Sequence, residues 1–162
     1  MAYADYQFYT DAYFGDVLTA ENADRWLSRA SDTLDTLTFQ RLTSAFPTIE
    51  AHAEKVKKAV CSVAEALVFV DQQRQAASAQ KAADGSYRGA VASISSGRES
   101  ISYASNGNSG TVYAAAAADA DALQAMLWDA AARYIANIPD ANGINLLYAG
   151  GDRCVSRHHH CF

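Results

Sequence analysis

Ile49, Ala53, Val56, Val60, Val63, Leu67 and Val70 follow one another at steps of 4, 3, 4, 3, 4 and 3 residues. Only an α-helix places such a series on one side of the backbone. Ala59 and Ala66 widen the seam on one flank, which suits a helical bundle better than a two-stranded coil. Pro47 fits the first turn, where a missing N–H costs nothing. The pattern predicts that the helix runs on through DQQRQAASAQKAA until Asp84 and Gly85 stop it.

Two further helical patterns frame this one. Tyr6, Tyr9 and Tyr13 share a face in the aromatic opening between Tyr3 and Phe14, so a short helix is expected there, closed by Gly15 and Asp16. Thr19 is a candidate N-cap for the next helix, whose core face reads Ala23, Trp26, Ala30, Leu34 and Leu37. Phe39 and Leu42 are expected to continue that apolar surface through a short turn. A last helix is predicted from about Thr111 to Asn137, with Leu123, Leu127, Ala130 and Tyr134 as its seam and Met126 and Trp128 on the flanks. Asp119 and Asp121 near its start complement the positive helix end, and Pro139 and Gly143 end it.

Between the two long helical patterns lies an island of different character, SISSGRESISY, from Ser93 to Tyr103. Its apolar and polar residues alternate as they do on a pleated strand. A tight hairpin could turn at Ser96 to Arg98, pairing VASIS with ESISY; a wider arm could turn at Asn106-Gly107. The tight turn is the favoured reading. No other convincing strand is legible, so the island has no internal sheet to join, and its open edges would sit in water or against a neighbouring subunit.

The chain of 162 residues suits one domain. Half its residues are hydrophobic and only two are proline, a balance that favours a helical core. A net charge of −5 argues against a general nucleic-acid binder. The acidic opening after Met1 is not that of a signal peptide, and no run of about 18 apolar residues suggests a membrane span. Cys61, Cys154 and Cys161 make an odd count without a disulfide framework, which points to a reducing, cytosolic origin.

Candidate chemistry is sparse. His158, His159 and His160 stand between Cys154 and Cys161, but consecutive histidines cannot all face one ion and a structural zinc needs a folded knuckle. No metal ligand, cofactor site or catalytic residue is assigned. His52 stands alone, and Cys61 beside Val60 is expected to be buried and inert. The serines of 93–102 have no histidine near them in sequence, and neither a nucleophile elbow nor a P-loop occurs. Lys55, Lys57 and Lys58 read as a solvated helix face.

The segments YADYQFYTDAYFG, RASDTLDTLTFQRL, KKAVCSVAEALV, SISSGRESISY, DAAARYI and GINLLYAGG, in that order, resemble the head–tail connector (adaptor) proteins of long-tailed bacteriophages and prophages. The resemblance spans roughly Tyr3 to Gly150; the end from Asp152 to Phe162 lies outside it. It implies a non-enzymatic structural protein of the virion, made in the host cytoplasm and placed at the head–tail junction. Its partners would be itself, as a homo-oligomeric ring taken as a dodecamer, the portal protein, and the next neck or tail-completion protein. Double-stranded DNA would pass through the ring without sequence-specific binding, along a channel expected to be acidic or neutral, and no membrane is involved.

The fold expected is therefore mainly α: a helical bundle over 1–142 carrying a β-hairpin or strand arm at about 91–104, then an extended C-terminal arm over 143–162. Ile94, Ile101, Tyr103, Ile144, Leu146, Leu147 and Tyr148 are the candidate subunit or portal interface. For the last four, docking onto a neighbour and folding back on their own bundle are both open. A different class of function also remains: a helical regulatory or scaffold protein binding a partner through the heptad seam. A metal enzyme using the C-terminal histidines stands behind both.

Overall fold

The computed structural model describes residues 2–77 and 111–148, with side chains over 2–75 and 111–148, and the backbone of four short segments between them. The described chain is mainly helical. Its helices are α1 (Tyr6–Asp11), α2 (Ala23–Leu37), α3 (Arg41–Ser44), α4 (Glu50–Ala77), α5 (Val112–Ala118) and α6 (Ala120–Ile135).

The heptad series does form the longest helix, but α4 is a central rod and not a one-sided seam. Val56, Val60, Val63 and Val70 are buried, and so are Ala59, Cys61, Ala64, Ala66 and Val68 around the rest of its circumference. The small residues at 59, 61, 64 and 66 let neighbouring helices approach closely, and α1, α2, α5 and α6 all pack on α4. Each large side chain buried there contributes about 1.5–3 kcal/mol. Two ends of the predicted seam behave otherwise: Ile49 is exposed and Leu67 is half-buried. The N–H groups of His52 and Ala53 donate to the Ile49 carbonyl, so Pro47 lies before the helix and not in its first turn. At the other end α4 stops at Ala77, short of the predicted Asp84.

All five core positions predicted for α2 are buried. Its N-cap is Asn22, not Thr19; the Asn22 side chain reaches back to accept the Thr19 N–H at 2.9 Å. Beyond Thr38 the chain reverses through two consecutive left-handed residues, Phe39 (φ 54°) and Gln40 (φ 61°). That reversal swings Phe39 outward to 52% exposure while Leu42 returns to the core. The expected continuation of the apolar face thus holds for Leu42 only.

The predicted last helix is broken in two. Asp119 adopts extended backbone, ends α5 and caps α6 by accepting the Asp121 N–H. An aspartate side chain competes well for backbone N–H groups outside the helix, which is why it nucleates a new start here. Between α4 and α5 the described backbone forms β1 (Gln80–Lys81) with β2 (Tyr87–Arg88), and β3 (Ile94–Ser96) with β4 (Glu99–Ile101). Both pairs are antiparallel and two-stranded, and Ile94 lies opposite Ile101.

Residues 143–148 are not the start of an extended arm. After α6 the chain turns tightly: Leu146 N–H donates to Ile138 O at 2.9 Å and Asp140 N–H to Ile144 O at 2.7 Å, with Pro139 bridged to Asn145. The buried Asp140 carboxylate accepts the N–H groups of Asn142 and Ile144, and Gly143 supplies the positive φ of 80° that closes the turn. Arg41 ties this turn to α3, with its guanidinium 3.9 Å from Asp140 Oδ2 and donating to the Tyr148 carbonyl at 3.2 Å. Leu146 is fully buried in the subunit's own core, with Leu147 packed against it. Leu146→Ala should therefore destabilise the isolated subunit by about 2–5 kcal/mol, read as a lower midpoint in urea denaturation with an unchanged slope.

Candidate functional site

Asp5 caps α1 by accepting the Phe8 N–H at 2.8 Å. This starts a short helix whose Tyr6, Tyr9 and Tyr13 stack in succession, with ring centroids 6.3 and 5.7 Å apart. Tyr9 is fully buried. Its hydroxyl donates to Glu65 Oε1 of α4 at 2.8 Å and accepts the N–H groups of Val17 and Leu18 at 2.8 and 3.1 Å. Tyr13 donates to the other oxygen of the same carboxylate at 3.2 Å. One glutamate on the central helix thereby holds α1, and through Tyr9 also the connection from α1 to α2.

Gly15 is dictated by this arrangement. A Cβ at that position would overlap the Tyr9 ring, so no other residue fits without displacing the tyrosine. Phe14 beside it carries φ 61° and is 81% exposed. A bulky side chain in the left-handed region is uncommon and costs roughly 1–2 kcal/mol. Phe14 overlooks an open cleft of about 570 Å³ lined also by Tyr13, Asp16, Lys58, Glu65 and Tyr134. The rings of Tyr13 and Tyr134 meet at a tilt, 6.4 Å apart, and Lys58 is engaged by Glu54 at 2.7 Å.

A smaller cleft of about 330 Å³ lies between α2, α4 and α6, lined by Trp26, Arg29, Leu67, Asp71, Arg74 and Leu123 among others. Its cations are already engaged. Arg25 and Arg29 sit 4.5 and 5.1 Å from the Trp26 ring, and Arg74 donates to the Ala117 carbonyl at 3.2 Å.

Burial of Cys61, and secondarily the charge of Glu65, pushes its thiol up to about 12, the state of an unreactive core cysteine. Among the described residues no group of three or more histidines, cysteines or carboxylates could hold a metal, and no helix is long and apolar enough to cross a membrane. The cluster of Cys154, His158, His159, His160 and Cys161 lies outside the described residues. Compared with known proteins, the chain matches no family model, no curated protein and no solved structure.

The residues singled out from the sequence do not converge on one site. Ile94 and Ile101 face each other across the β3–β4 backbone ladder, and Tyr103 lies outside the described residues. Leu146 is internal, Ile144 and Leu147 are half-buried, and Tyr148 is 55% exposed. Sequence reasoning missed the Tyr9–Glu65 anchor and Phe14. Glu65 gives no signal as one acid inside a helical run, whereas the aromatic residue directly before Gly15 was a visible hint of a sharp turn.

The phenols of this network report on its integrity. Burial first, then the hydrogen bond to Asp35 for Tyr3 and to Glu65 for Tyr9, push both up to about 12. Burial and the Glu65 charge push Tyr13 up as well. The folded state favours the neutral phenols, so their contribution to stability is complete below pH 10 and is lost as pH rises through about 12. Spectrophotometric titration should show these tyrosines ionising only with alkaline unfolding in that window. Tyr9→Phe, which leaves the Val17 and Leu18 N–H groups without their acceptor, should cost about 1–3 kcal/mol at neutral pH. Ionisation of all tyrosines near pH 10 without unfolding would refute the anchoring role.

Proposed function

We propose that this chain is a structural protein of the bacteriophage neck, a head–tail connector whose copies form a ring between the portal and the tail side and extend the DNA channel. The observation that carries this reading is the strand pairs set between α4 and α5, outside the helical core. Each ladder has only two strands, so every strand keeps one edge without a partner in its own ladder. Such edges are templates for pairing with another chain, and a closed ring covers them with the next copy. The β3–β4 pair is the arm of this proposal. The ordered likeness of six short sequence segments to connector proteins supports the same reading.

The other expected partners follow from that role: the portal on one face, the next neck or tail-completion protein on the other, and double-stranded DNA passing without sequence-specific grip. An excess of 18 acidic over 13 basic residues favours an acidic or neutral channel, since phosphate-binding walls would hold the polymer. The role uses no catalytic residue or cofactor. The regulatory or scaffold alternative needs a heptad seam open to a partner, yet Val56, Val60, Val63 and Val70 are buried within the subunit. That favours the connector.

Ile101→Pro tests the arm. It removes one backbone donor from β4 and leaves the helices alone. The variant should keep its helical circular dichroism but lose rings in negative-stain images and the corresponding fast-sedimenting species. Rings of normal size and abundance from the variant would count against the proposal.

A further inference from the structure

From the geometry at the end of α1 we infer that the Phe14 cleft is the face on which the next copy docks, receiving an arginine from that copy's 78–110 segment. This rests on the ring reading above and names the contact that would close it. Three observations converge. Phe14 is held in a strained conformation that presents its ring to solvent, the kind of rigid aromatic anchor that dominates interfaces. It is rigid because both flanks are pinned: Tyr9 fills the space against Gly15, and the Tyr9 hydroxyl holds Val17 and Leu18.

The cleft beneath it has the chemistry of a guanidinium site. Its walls are the faces of Tyr13 and Tyr134, and Glu65 and Asp16 contribute carboxylates. Both Glu65 oxygens accept a tyrosine hydroxyl, yet each carboxylate oxygen can accept more than one hydrogen bond. Aromatic faces and a carboxylate together favour arginine over lysine. Lys58, the cleft's own cation, is neutralised by Glu54.

Charge distribution points to a second copy as the occupant. Residues 1–24 contain Asp5, Asp11, Asp16, Glu21 and Asp24 and no lysine or arginine, and all five acids are exposed. The 78–110 segment has the opposite balance, Lys81, Arg88 and Arg98 against Asp84 and Glu99. A ring needs a heterologous contact, in which one patch meets a different patch on the neighbour. An acidic aromatic face and a basic segment on one chain meet that requirement.

The test uses the full-length chain in sedimentation velocity, over a range of concentrations and at low and moderate salt. Phe14→Gly relieves the left-handed strain, so its thermal midpoint should be unchanged or higher while self-association weakens about tenfold or more. Replacing Arg88 and Arg98 together by glutamine should weaken it similarly. Neither variant should assemble alone, but an equimolar mixture should form dimers, because one intact face remains on each. A wild type that stays monomeric throughout overturns the ring reading and this contact with it. A wild type that assembles while Phe14→Gly assembles equally well overturns the contact alone and gives the face to a different protein. Failure of the mixture to form dimers, with both variants folded, likewise overturns the pairing of these two patches.

Discussion

The burial of α4 on nearly every side is the constraint to which the other elements answer. A helix of 28 residues, about 42 Å long, cannot sit in water with valines and alanines around its middle. The chain therefore wraps it: α2 on one side, α5 and α6 on another, and α1 across it. The amphipathic helices spend their apolar faces on this task, so Trp26, Leu27, Leu34, Leu127 and Ile135 all point inward. What remains for contact with other molecules is moved to the connections and to the segment between α4 and α5.

The polar link from α4 to the N-terminal region is a single carboxylate. Glu65 takes the hydroxyls of Tyr9 and Tyr13, and Tyr9 in turn satisfies two backbone N–H groups of the following loop. These bonds over-determine the loop, which is the condition under which a strained residue persists. Phe14 is thus exposed by construction: the tyrosine that fills the core also demands glycine at 15 and turns the preceding ring outward. Phe39 and Gln40 repeat the device at the end of α2, where consecutive left-handed residues reverse the chain.

At the other end, Asp140, Arg41 and Leu146 separate the subunit's own core from the chain beyond. An apolar stretch between glycines reads equally well as a docking arm or as core, because hydrophobicity alone does not name the surface that buries it. Here hydrogen bonds from 140–146 back to 136–144, and a guanidinium reaching from α3, bind the turn to its own bundle. The open edges of the two short ladders are left as the feature that suits assembly.

The sequence by itself determined the helices and most of the core, because the 3.6-residue period of Val56 to Val70 and of Ala23 to Leu37 is a local property that burial merely exploits. It also made the region between Ser93 and Tyr103 distinct from the rest. Tertiary structure decided whatever depends on residues far apart in the chain. It made α4 a rod buried all round, because only its neighbours set which faces are covered. It broke the last helix at Asp119, where a side-chain cap outcompetes propensity. It put Leu146 inside and Phe14 outside, and it made Glu65, anonymous in a helical run, the anchor for tyrosines more than fifty residues away. Periodicity is written along the chain, but which partner satisfies a hydroxyl or covers a ring is settled only when distant segments meet.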